Sequence, residues 1–181
     1  MNAPKYTIKN ITKLLAVLSW KDEQGQHSDL DIAMDFVSKT GVRAMPKIYF
    51  GNETGICATY FGDNKGQIQN EHGYSQEIIA LNTDKVLQNV SGIFISIINN
   101  DKNQMFSDFN SVIIQLVEAE SKDVVFELDL KSNESTSSCS AVIPLSFEIE
   151  AGSISVSECP FVAVNTYPED VHAQYFNTMA M

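Results

Sequence analysis

The sequence predicts an all-β fold: a sandwich of two antiparallel sheets with one or two short helices. Three observations carry this. Short apolar or alternating runs, about ten of them, are separated by turn residues at the spacing of all-β proteins. One run, residues 28–36, alternates between apolar and polar positions, broken only by Ala33. Nowhere does a strand pattern alternate with a long helical one, as a parallel sheet would require.

The elements follow in order. Residues 14–20 (LLAVLSW) are short, nearly all apolar and followed by a charged stretch, so they read as a strand buried on both faces. Residues 21–28 turn around Gly25. In 28–36, Leu30, Ile32, Met34 and Phe36 fall on one face, with Asp29, Asp31, Ala33 and Asp35 on the other. This is the pattern of a half-buried strand, since side chains alternate across a strand. Residues 47–50 and 57–61 read as short strands, the first ending at a Gly51-Asn52 turn. A long polar loop follows, before apolar character resumes at 78–81. Asn82 or Thr83 can cap one or two helical turns ending near Asn89, with Val86 and Leu87 facing in.

Residues 92–98 (GIFISII) are apolar and β-branched, which predicts a central strand. Asn99-Asn100-Asp101-Lys102-Asn103 breaks it. Phe106 and Phe109 sit three apart, as on one inward-facing helical turn. Residues 112–117 and 124–130 are strands. In 141–149, Ala141, Ile143, Leu145, Phe147 and Ile149 are expected to share a face. Pro144 has no N–H to donate, so it predicts an edge or a bulge there. Residues 153–156 and 161–164 are the last strands. The whole chain, 1–181, reads as a single domain with a tail from about 167 that is a short helix or flexible.

Composition narrows the function. The formal net charge of −11 opposes binding to a phosphate backbone, so no nucleic-acid partner is expected. No window is long and apolar enough for a membrane span, and residues 1–6 lack the apolar core of a secretion signal. Cys57, Cys139 and Cys159 show no metal-ligand spacing and read as buried thiols in a reducing compartment. His27, His72 and His172 are isolated. No nucleophile elbow, phosphate loop or dinucleotide motif is present, and no enzyme activity is expected.

The chemistry concentrates in residues 62–77. This loop holds three carboxylates (Asp63, Glu71, Glu77), two asparagines (Asn64, Asn70) and three glycines (Gly62, Gly66, Gly73). Short oxygen-bearing side chains on a Gly-bent backbone suit a hard cation that takes six to eight oxygens. Asp29 and Asp31 project from one side of their strand, ~6–7 Å apart along it, and can face this loop. On the pattern alone they read as a solvated face. Asp35 lies further along and reads as solvated, as do Glu127 and Asp129. The run after Asp29 lacks the glycine and terminal glutamate of an EF-hand loop.

Several segments, in order, resemble the tellurium-resistance TerD family. Residues 14–20 are similar to its apolar strand ending in Gly-Trp, with Ser19 in place of the glycine. Asp29-Leu30-Asp31 resembles its Asp-Leu-Asp element, and Ile48-Tyr49-Phe50-Gly51-Asn52 its Phe-Tyr-Asn-Asn segment. Gly62-Asp63-Asn64 matches its Gly-Asp-Asn motif. Residues 92–98, Phe106 and Asn110-Ser111 resemble its central strand and the turn that follows. The likeness spans roughly residues 11–165. Two departures stand out. Gly73-Tyr74-Ser75-Gln76-Glu77 replaces a Gly-Asp-Asp-Glu cluster, so only Glu77 keeps an acid. The usual Leu-Ser-Lys-Gly opening is absent, with residues 6–9 in its place.

The resemblance implies a cytoplasmic, calcium-binding, non-catalytic β-sandwich linked to tellurite and chemical-stress resistance, with other tellurium-resistance proteins as partners. The implied calcium ligands are Asp29, Asp31, Asp63 and Asn64, with Glu71 and Glu77 completing the set. Fewer carboxylates imply weaker calcium binding. The other expectation is a metal-free sandwich that acts as an adaptor for a protein partner.

Overall fold

The structure, a computed structural model, describes residues 5–9, 11–23, 27–101, 103–150 and 153–162. Eleven strands follow in chain order: β1 (Lys5–Lys9), β2 (Lys13–Lys21), β3 (Leu30–Val37), β4 (Arg43–Ile48), β5 (Ala58–Phe61), β6 (Ser75–Asn82), β7 (Gly92–Asn99), β8 (Ser111–Glu118), β9 (Val124–Asp129), β10 (Ala141–Glu150) and β11 (Ser153–Val162). They form a six-stranded sheet, β1-β11-β10-β7-β3-β4, and a five-stranded sheet, β5-β6-β2-β8-β9. Every pairing is antiparallel. The only helical pieces among the described residues are two single 3₁₀ turns, Thr83–Lys85 and Phe106–Asp108. Asn82 caps the first, its side chain accepting the Asp84 N–H at 3.1 Å. The all-β sandwich read from the sequence is therefore the observed fold.

The core lies between the sheets. From β2 come Leu14, Ala16, Leu18 and Trp20; from β3 come Leu30, Ile32, Met34 and Phe36; from β7 come Ile93, Ile95 and Ile97. Each set is spaced by two, as a pleated strand demands. Trp20 is fully buried, and its indole N–H donates to the Ser28 carbonyl at 3.1 Å. That bond draws the end of the turn after β2 against the start of β3.

Several expectations are corrected. The half-buried strand at 28–36 is β3, and all eight of its residues are buried, so its polar face is also covered. Asp35, read as solvated, is fully buried, within 3.1 Å of both the Arg43 guanidinium and the Lys47 ammonium. The strand expected at 47–50 lies earlier, at Arg43–Ile48, and Tyr49 makes only an isolated bridge to Asn52. Its Pro46 is tolerated because β4 is an edge strand. Leu87, expected to face in, is 41% exposed. The runs at 153–156 and 161–162 belong to one strand, because backbone pairing with β10 carries through the polar residues between them. Lys5–Lys9, not anticipated as a strand, pairs with β11 as a short lysine-flanked edge. The tail from about 167 lies outside the described residues.

Pro144 produces the expected bulge. The register of β10 slips between Ile143 and Leu145 against β11, and between Val142 and Leu145 against β7. The extra residue inverts the alternation. Val142, Leu145 and Phe147 therefore enter the core, whereas a strict period of two had placed Ile143 with Leu145.

Candidate metal centre

Three segments meet at one end of the sandwich. The antiparallel register of β3 and β7 sets Leu30 opposite Asn99. Asp29, Asp31 and Asn100 are thereby brought together. The third segment is the polar loop between β5 and β6, which belongs to the other sheet.

Two features seat that loop. Gly66 has φ +72°, and a Cβ there would come within 2.7 Å of the Ser28 carbonyl oxygen. Only glycine allows this left-handed turn to lie so close to the residue preceding Asp29. His27 adds a ring nitrogen 3.0 Å from the Gly66 carbonyl. The second feature is Glu77. It is fully buried, and its carboxylate accepts the Ile32 N–H at 3.0 Å and the Asn64 N–H at 3.2 Å. One side chain of β6 thus joins β3 in the opposite sheet to the loop.

Asn64 closes the loop on itself. Its side-chain amide donates to the Ile68 carbonyl at 2.6 Å, and its oxygen accepts the Ile68 N–H at 3.3 Å. The result places Asp63 over β3. Asp29, Asp31 and Asp63 each offer a carboxylate oxygen, all within 4.8 Å of one another, and the three can hold a metal ion. Asp31 is 2% exposed, Asp29 is partly buried, and Asp63 is exposed.

The electrostatics favour a cation. Burial chiefly pushes the Asp31 carboxyl up to about 7, and the charges of Asp29 and Asp63 push the same way. The Asn100 amide and Lys65 offset part of this. Burial likewise raises Glu77 to about 8, with the Asp31 charge adding to it. The buried Tyr60 hydroxyl lies beside Glu77, outside full hydrogen-bond geometry, and still eases the carboxylate's burial. Asn100 Nδ2 donates to Asp29 Oδ2 at 2.9 Å and to Asp31 Oδ2 at 2.7 Å, bridging two like charges with one NH₂ group. Asp29 Oδ1 is buried without a partner among the described residues.

The six acidic and amide positions singled out in the sequence separate into three groups. Asp29, Asp31 and Asp63 converge. Asn64 and Glu77 stand next to that cluster with their side-chain oxygens on backbone N–H groups. Glu71 is exposed, with His72 at 3.5 Å as its one ionic neighbour among the described residues. Asn100 was passed over as a turn residue. Its signal was available: an asparagine-rich break directly after a central strand, at the sheet end where the β3 acids begin.

A family model described as the TerD domain matches residues 5–145. Among solved structures, a protein of unknown function, SAV2460, superimposes with a TM-score of 0.72 at 14% identity, covering 91% of this chain and 96% of that one. A homologue of the telluride resistance protein TerD, SCO6318 from Streptomyces coelicolor A3(2), superimposes with a TM-score of 0.70 at 12% identity, covering 89% and 95%. At such identities the superpositions speak to the fold alone. Among curated proteins, none matches.

Proposed function

The chain belongs to the TerD family, and from that membership we propose that it is a calcium-binding, non-catalytic protein serving tellurium resistance and the chemical-stress response. The observation that carries the calcium reading is the convergence of Asp29, Asp31 and Asp63 from opposite sheets. Carboxylate oxygens select hard cations over soft ones, and flexible loop geometry suits calcium better than the strict octahedron of magnesium. The buried, unpartnered Asp29 Oδ1 fits the same reading: it is an acceptor that has given up water without gaining a donor.

Asp29, Asp31 and Asp63 would hold the ion. Rotation of the Asn100 amide would turn its oxygen toward it, and backbone carbonyls of the loop would complete the shell. Glu77 and Asn64 act as supports, holding Asp63 over β3. The ion would tie the two sheets at one end and neutralise a buried carboxylate. Its role is therefore to order a surface for other proteins of the resistance system.

The Asn100 bridge supports a second reading. It already donates to one oxygen each of Asp29 and Asp31 without an ion, and Ser75 and Gln76 stand where the family carries acids. On that reading the chain is a metal-free adaptor.

Thermal unfolding in calcium, magnesium and chelator separates the two. A ligand that binds only the folded chain stabilises it by about 2.7 kcal/mol at a hundredfold excess over its dissociation constant. The expected result is a calcium-specific rise in melting temperature that the double substitution Asp31→Ala/Asp63→Ala abolishes. No shift at millimolar calcium would leave the adaptor reading in place.

A further inference from the structure

The outer face of the five-stranded sheet carries an apolar stretch over β5, β6 and β2. Cross-strand register aligns Phe61, Ile78 and Val17 in one row, which turns polar at Gln115 and Glu127, and Thr59, Ala80, Leu15, Val117 and Val124 in the next. Phe61 is 54% exposed, and Ile56, beside the end of β5, is 64% exposed. Antiparallel sheets usually carry polar residues on the face turned to water. A contiguous apolar surface there marks an interaction site.

A groove of about 290 Å³ runs over this face, floored by Leu15, Ala80 and Phe61 and walled by Ile56. Its charge is the informative feature. The chain carries 23 acidic residues against 12 basic ones, yet the groove lining holds two lysines, Lys13 and Lys85, and no acid. Both lysines are exposed, and neither is in an ion pair among the described residues. Two acids stand near them: Asp84, exposed beside Lys85 in the 3₁₀ turn but outside the groove lining, and Glu118, which accepts the Glu120 and Ser121 N–H groups of its own hairpin.

We propose that this groove docks an extended peptide segment of a partner protein, one in which apolar side chains adjoin Asp or Glu. Apolar residues of the segment cover Leu15, Ala80 and Phe61, and its carboxylates meet Lys13 and Lys85. A second copy of this chain would bring another net charge of −11 to the contact. An anionic membrane would face the same repulsion with two lysines to offset it. The proposal does not use the metal ligands: of the groove residues named, only Phe61 lies near them in sequence, two before Asp63, so each can fail without the other.

The test is selection of peptides from an unbiased display library on the full-length protein in chelator. The affinity of the enriched peptide is then measured on the wild type, on Lys13→Glu/Lys85→Glu, on Leu15→Gln and on Asp31→Ala/Asp63→Ala. Circular dichroism melting confirms that each variant is folded. The enriched peptides are expected to combine Leu, Ile or Phe with Asp or Glu. Binding should weaken about tenfold on reversing the two lysines, since each exposed pair contributes up to about 1 kcal/mol and reversal adds repulsion. It should also fall with added salt and be unchanged by Asp31→Ala/Asp63→Ala. The lysine reversal leaves the apolar floor intact, so it tests the proposal even if Leu15→Gln fails to fold. Peptides without acids, affinity unmoved by the reversal, or no enrichment at all would overturn the proposal. So would a dimer of the wild type, seen by sedimentation, that Leu15→Gln dissociates, because the second copy would then be the occupant.

Discussion

Asp31 and Asp35 stand four residues apart on β3, both on its polar face and both buried, and they are treated oppositely by their surroundings. Asp35 lies against two cations, Arg43 and Lys47. Asp31 lies against two more carboxylates and the edge of an amide. A buried charge is tolerated when it is paired and hydrogen-bonded, and otherwise takes up a proton or an ion. Asp35 is therefore part of the framework, and Asp31 is an unfilled valence of the fold. The same residue type, on the same strand, is structural in one place and available for function in the other.

The largest effect that would sharpen this contrast is at Asp35. Asp35→Ala removes the carboxylate 3.1 Å from Lys47, whose side chain is 4% exposed. Unfolding in urea should show a loss of about 3–5 kcal/mol, the cost of breaking a buried pair. Asp31→Asn should act in the other direction. In chelator at pH 8 it removes an ionised, desolvated group and should stabilise the chain, by on the order of 2 kcal/mol, while abolishing the response to calcium. A destabilising Asp31→Asn in chelator would break the comparison.

The pH dependence follows from the same carboxyls. Folded Asp31 and Glu77 titrate near 7 and 8, above their ordinary 3.8 and 4.5. Between those limits the folded chain holds protons that the unfolded chain releases, so stability falls as pH rises. In chelator, the contribution of these groups is fully present below about pH 4 and lost as pH passes 7 to 8. On the proposed calcium binding this trend should reverse, because binding would displace protons and tighten as pH rises from 6 to 8. Melting curves across that range, with and without calcium, should diverge progressively. Parallel curves would count against proton–calcium exchange at Asp31.

Gly66→Ala comes next. It places a methyl 2.7 Å from the Ser28 oxygen at a positive φ, and should cost about 1–2 kcal/mol and weaken calcium binding by displacing the loop. The smallest effect is at Glu71. It is solvated, with His72 its one ionic neighbour among the described residues, so Glu71→Ala should change stability by under about 0.5 kcal/mol and leave the calcium response intact. A lost response there would show that the loop rearranges to bring Glu71 onto the ion.

The alternation of residues 28–36 by itself determined the inward residues of β3, and the short apolar runs 14–20 and 92–98 marked two more strands of an all-β sandwich, because alternation and run length are local properties of an extended chain. The oxygen-rich composition of the 62–77 loop and the shared side of Asp29 and Asp31 were legible for the same reason. Tertiary structure alone decided the rest. It covered the outer face of β3, set Arg43 and Lys47 against Asp35, and brought Asn100 between Asp29 and Asp31. It gave Glu77 to two backbone N–H groups and turned Glu71 to solvent. It also decided how the Pro144 bulge divides Ile143 from Leu145. Each of these depends on contacts between residues far apart in the chain, and a one-residue slip of register exchanges the faces of a strand. Residue order carries the period of a strand, but the partner that meets a buried carboxylate is chosen only when the sheets close.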